Sequence, residues 1–165
     1  MSTTYVRALL AAAALSLATA AAAQCQFSSL SAQSAGAFCN IPSSGCCAIA
    51  SSPTQLQPAL NVTNCTVEFT VRQIEGCCGM SIPFRFLAIG MVPAVIPLPE
   101  FGPTCTLWLV PDMFFVMTTA TIAIAIPPTL PPLTFQAQGA ALVNDPFGPV
   151  NPVMAISGAL AISLQ

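Results

Sequence analysis

The chain has no histidine and no lysine, and charged residues make up only 5% of its 165 positions. Each shortage removes a class of function. Without lysine, and with arginine only at Arg7, Arg72 and Arg85, there is no basic surface to neutralise a phosphate backbone, so nucleic acid is excluded as a partner. Without histidine there is no general base of the usual kind for a serine or cysteine nucleophile. No C-x-x-C occurs, which argues against thioredoxin-like redox chemistry and against the common spacing of zinc ligands. After residue 23 no apolar stretch shows helical periodicity, and 16 prolines work against long helices.

What is present begins with a leader. Arg7 precedes an apolar run from Ala8 to about Ala18, and Ala21-Ala22-Ala23 fits an A-x-A cleavage pattern before Gln24. The run is too short and too alanine-rich for a membrane anchor, so residues 1–23 are expected to be a secretory signal peptide. Cys25 lies near the junction, but Gln24 stands where a lipoprotein signal wants a small residue. Cleavage leaves 142 residues, enough for one domain with a core. The remaining charges are Arg72 and Arg85 against Glu68, Glu75, Glu100, Asp112 and Asp145. The expected location is outside the cytoplasm: extracellular, periplasmic or on the cell surface.

All eight cysteines follow the leader: Cys25, Cys39, Cys46, Cys47, Cys65, Cys77, Cys78 and Cys105. An even number in an exported chain is read as a disulfide framework. In extended backbone, neighbouring side chains point to opposite faces, so each adjacent pair can tie one place to two others. The sequence does not choose the pairing. The count and the two adjacent pairs also resemble the fungal hydrophobins, but the order of singles and pairs differs. An amphiphilic coat protein is therefore the most distant of the alternatives.

Residues 24–52 are rich in Ser, Ala, Gln and Gly and show no apolar period, which predicts a loop-rich segment pinned by cysteines. From Pro53 the pattern becomes strand-like. In "TVEFTVRQ", Val67, Phe69 and Val71 alternate with Glu68, Thr70 and Arg72. In "IPFRFLAIG", Ile82, Phe84 and Phe86 lie opposite Arg85. "CTLWLVP", "MFFVM", "TATIAIAI", "LTFQAQGAALV" and "VMAISGALAISL" read as further strands, separated by Pro- and Gly-rich turns such as "IPPTLPP" and "NDPFGPVNP". About seven short strands predict an all-β fold, an antiparallel β-sandwich of Ig-like or jelly-roll-like type over residues 53–165.

The carboxy-terminal half carries a resemblance. "PLPEFGPTCTLWLVPD", "IPPTLPPLTFQAQGAALVND" and "MAISGALAISL" are similar to a carboxy-terminal β-sandwich module of secreted proteins from environmental bacteria. The matching residues are Pro97 to Pro99, Cys105, Trp108, Pro111, Ile126-Pro127, Phe135 with Gln138, Asp145, and Ile156 to Leu160. Gly158 departs from the pattern, which has asparagine there. The resemblance covers residues 80–165 and implies a secreted sandwich without assigned catalytic activity.

The candidate chemistry is thin. Glu68 and Glu75 are the acids a glycosidase-like pair would need, but the favoured reading is that both are solvated surface charges. Ser157 lacks a G-x-S-x-G setting and a base. Asp112, Asn144, Asp145 and Asn151 could offer oxygens to calcium, yet all fall where turn residues are expected. Trp108 is the candidate platform for a sugar or apolar ligand, and its ordinary reading is a sandwich-core tryptophan. The sequons at Asn61 and Asn64 are motif matches only. "GMVPAVIPLPEFG" and "MFFVM" are the candidate exposed apolar patches, against the usual fate of such runs in a core. The sequence thus predicts a non-catalytic structural or interaction module without cofactor, metal or catalytic residues. Its partner would be a protein or cell-surface component, self-association included. The alternative is a binding module for a carbohydrate or an apolar small molecule.

Overall fold

The computed structural model describes residues 25–39, 54–73, 81–144 and 152–165. Cys46, Cys47, Cys77, Cys78, Glu75, Asp145 and Asn151 lie outside the described residues, as does the leader. Within them the chain forms ten strands: β1 (Leu30–Ser34), β2 (Gln55–Asn61), β3 (Thr66–Arg72), β4 (Ser81–Gly90), β5 (Val92–Pro97), β6 (Thr106–Val110), β7 (Met113–Met117), β8 (Thr121–Ala125), β9 (Leu133–Asn144) and β10 (Val153–Leu164). Every pairing is antiparallel. A five-stranded sheet runs β1-β10-β9-β4-β7, a three-stranded sheet runs β2-β3-β8, and β5 and β6 form a separate ribbon.

The core lies between the two larger sheets. Val67, Phe69 and Val71 of β3 are fully buried, and Glu68 and Thr70 between them are not. They meet Leu87 and Ile89 of β4, Phe135 and Ala137 of β9, and Ile162 and Leu164 of β10. Phe69 packs edge-on against Phe135, with ring centroids 6.4 Å apart. Ile122 and Ile124 of β8 close the same layer. The expected all-β sandwich is therefore the observed architecture.

Three strands lie where the sequence showed no strand signal. β1 falls inside the stretch expected to be loop; it is polar and pairs with β10, Leu30 opposite Leu164. β2 contains Pro58, and β5 contains Pro93 and Pro97. Each of these is an edge strand or part of a two-stranded ribbon, where a missing N–H is tolerated.

Pro83 sets a bulge at the start of β4. Ser81 pairs with Asn144 and Phe84 with Leu142, so β4 carries one extra residue there. The bulge sends Ile82 to pack against Ala141, Val143 and Ala155. The two phenylalanines of this strand take the outer face. Arg85 is buried on the side of Leu87 and Ile89, and Phe84 and Phe86 point outward.

Two disulfides fasten the amino-terminal segment. Cys25 bonds to Cys65 in the β2–β3 turn, and Cys39 bonds to Cys105 just before β6, with Cα separations of 5.0 and 4.7 Å. The β2–β3 turn is shaped by Asn61, whose side-chain oxygen accepts hydrogen bonds from the amides of Thr63 and Asn64. This local role accounts for the first sequon. Cys65 takes a left-handed backbone conformation there.

Candidate functional site

The outer face of the five-stranded sheet has two unlike ends. At one end Thr134 and Ser163 share a hydroxyl–hydroxyl hydrogen bond of 3.0 Å, with Ser31 opposite Ser163 in the register. At the other end the cross-strand neighbours are Phe84 with Leu142, Leu142 with Met154, Phe86 with Ala140, and Ala140 with Ile156. β7 extends this apolar end with Phe114, which stacks on Phe86 at 5.8 Å, and with Val116. Phe114 and Val116 are 61% and 60% exposed, and Phe84 is 42% exposed.

The β5–β6 ribbon crosses the outer face between the two ends, and Gln138 fixes it there. This side chain, 2% exposed, projects from β9 toward β6. Its oxygen accepts from the Trp108 amide at 2.9 Å. Its nitrogen donates to the carbonyls of Thr106 and Ser157, both at 3.0 Å. One amide thus joins β6, β9 and β10.

Trp108 itself is half-buried rather than part of the inter-sheet core. Its ring lies against Gly36, and its indole N–H donates to the Ala37 carbonyl at 3.0 Å. The sequence offered a ligand platform or an inter-sheet core tryptophan; the ring instead packs against the strap of residues 35–39.

Ser157 and Gly158 form the bulge in β10 where the register shifts between Ile156 and Ala159. The Ser157 hydroxyl accepts from the Gly139 amide at 2.9 Å and donates to the Gly158 carbonyl at 2.8 Å, so both its roles are structural. Gly158 lies beneath the strap, and a β-carbon there would come within 2.7 Å of the Gly36 carbonyl oxygen. No larger residue fits without moving the strap, so this arrangement requires glycine here.

The remaining candidates scatter. Glu68 accepts from the Asn61 side chain at 3.5 Å on the far sheet. Asp112 accepts from the Met91 amide at 2.8 Å and joins the β4–β5 corner to the turn before β7. Asn144 ends β9 opposite Ser81. Among the described residues, no group of three or more His, Cys, Asp or Glu side chains is placed to hold a metal.

Two open apolar grooves flank these features. One, of about 250 Å³, lies on the outer face between Phe86, Phe101, Leu107, Phe114 and Met154, with Gln138 at its floor. The other, of about 200 Å³, opens between the two sheets at the end marked by Met91, Met113, Ile126, Pro127 and Leu130, with Asp112 as the charged residue of its lining. The apolar runs singled out in the sequence are exposed here: Met91, Val92 and Val95 in the first, Met113, Phe114 and Val116 in the second. The pair Phe84 and Phe86 was missed, because alternation divides a strand into two faces without saying which is inner.

Among the described residues, no helix is long and apolar enough to cross a membrane. No family model, no curated protein and no solved structure matches the chain.

Proposed function

We propose that the protein is an exported, disulfide-braced and non-catalytic module that acts by contact, through the apolar end of its outer sheet face. The observation that carries this reading is the group Phe84, Phe86, Phe114 and Val116. Aromatic and branched side chains lie side by side on a regular sheet surface, with no charged residue among them. Contiguous exposed apolar surface of this kind marks a contact site in soluble proteins. The low charge of the chain supports the same reading, since little repulsion keeps this surface from a neighbour. The leader-like residues 1–23, the two disulfides and the similarity to a secreted bacterial module support export to an oxidising compartment. The internal hydrogen bonds of Ser157 and the absence of histidine from the sequence support a non-catalytic role.

The test replaces two exposed rings away from β7, Phe84→Ser and Phe101→Ser, in the native host. The wild-type protein is expected to remain with the cell-surface fraction and the double variant to pass into the medium, with its unfolding midpoint nearly unchanged. Equal distribution of the two proteins would overturn the reading.

A second reading, an apolar small molecule as ligand, is favoured by the groove of about 250 Å³ on the same face. It expects native mass spectrometry of the host-derived protein to show an added organic mass that is lost on denaturation.

A further inference from the structure

The edges of the sheets are not treated alike. Within the strands themselves, β1 is short and polar, β2 carries Pro58, and β5 carries Pro93 and Pro97. Polar residues and prolines are the usual means of keeping a strand edge from pairing with another chain. β7 has none of them within its five residues, Pro111 and Asp112 lying just before it. It ends the five-stranded sheet, pairs on its other side with β4, and reads Met-Phe-Phe-Val-Met without charge or proline. The described residues place no further strand along it.

The sequence of β7 is also close to a palindrome in size and polarity, centred on Phe115. Antiparallel pairing of two identical strands about a two-fold axis sets residue i against residue j and j against i. For β7 that places Met113 opposite the partner's Met117, Phe115 opposite the partner's Phe115, and Phe114 opposite the partner's Val116. Directly opposed side chains on one face of an antiparallel pair are in contact. Every position then meets an apolar residue.

We infer that the partner recognised at this edge is a second copy of the same chain, joined β7 to β7 in antiparallel register about Phe115. The product is a continuous ten-stranded sheet. The axis of such a pairing is perpendicular to the sheet, so both apolar ends come onto one surface, Phe84 and Phe86 of each copy flanking the new seam. This deepens the proposed contact function by naming the chemistry of one partner, and it rests on that reading. The five-residue seam is short, so the affinity expected is on the order of micromolar, as for other small interfaces.

The test is sedimentation velocity on the mature, oxidised chain with two double variants. Positions 114 and 116 are both about three-fifths exposed, so charged side chains there are compatible with the fold. F114K/V116E sets an amine opposite a carboxylate across the seam, and F114K/V116K sets like charges there. Wild type and F114K/V116E are expected to dimerise, and F114K/V116K to stay monomeric. A carbodiimide is expected to link F114K/V116E dimers, because the chain has no other lysine. Independently of any variant, raising the wild-type concentration through the transition is expected to slow amide exchange in β7 at least tenfold and leave β1 unchanged. The inference is overturned by a wild type that stays monomeric at about 200 μM, well above the expected range. It is overturned equally by two double variants that associate alike or that are both monomeric. A monomeric wild type that still partitions with the cell surface would overturn the β7 pairing and leave the proposed contact function standing.

Discussion

Gln138 shows how much one side chain can settle in a chain with few polar groups. Its three hydrogen bonds hold the β5–β6 ribbon against the sheet and brace the bulge at Ser157. Gln138→Leu fills the same volume but leaves the Trp108 amide and the Thr106 and Ser157 carbonyls without this partner. Buried polar groups left unpaired cost about 1 to 3 kcal/mol each. Allowing for relaxation toward water, a loss of about 3 kcal/mol is expected, a fall in Tm of roughly 10 °C for a chain of this size. Thermal unfolding followed by Trp108 fluorescence checks this, and a shift below about 2 °C would contradict the bracing role. The sequence marked Gln138, with Phe135, only as part of a resemblance, and Trp108 as a candidate ligand platform or core ring. It did not show that the two are joined, because the contact runs between strands 30 residues apart. Gly158 was legible only as a departure from a pattern; its reason is the Gly36 carbonyl lying above it.

At the scale of elements, alternation found the strands whose two faces differ. β3 was readable because Val67, Phe69 and Val71 face the core and Glu68, Thr70 and Arg72 do not. β1, β2 and β5 were not readable, since each is polar or carries proline, and edge position rather than propensity makes it a strand. For β4 the alternation was plain but its sense was not. Only the packing of β3 beneath Leu87 and Ile89 decides that Arg85 goes in and Phe84 comes out. The disulfides act at this scale too. Cys39–Cys105 holds the strap across Trp108 and the β10 bulge. The bond spans 66 residues, so C39A/C105A is expected to lose about 4 kcal/mol of stability by release of the unfolded chain. Denaturant titration measures that loss. A midpoint equal to wild type would mean the strap holds by its hydrogen bonds alone.

For the whole molecule, the shortage of charge is the dominant property, with 3 basic and 5 acidic residues in the entire sequence. Contacts made by such a surface gain from water released by apolar groups, and salt has little to screen. Self-association of the wild type is therefore expected to hold or strengthen as NaCl rises from about 0.05 to 1 M, and that of F114K/V116E to weaken. Sedimentation at the two salt concentrations separates the cases, and a wild type that dissociates in salt would contradict the apolar origin of the contact. The composition announced this much, but not which surface makes the contact, because that follows from which strands become edges.

The sheet order has a further consequence, in time rather than in space. β1 is the first described strand and β10 the last, yet they are neighbours, and the backbone of Gln165 exchanges hydrogen bonds with Ser28 and Ser29. β9 also waits for β10 on one side. The five-stranded sheet therefore cannot be complete until β10 has been made. β4 can pair with β7 and β9 before then, but closing the sheet depends on contacts distant in sequence, which form slowly. Until then the unfinished sheet has two open edges, at β9 and at β7, where another chain can pair.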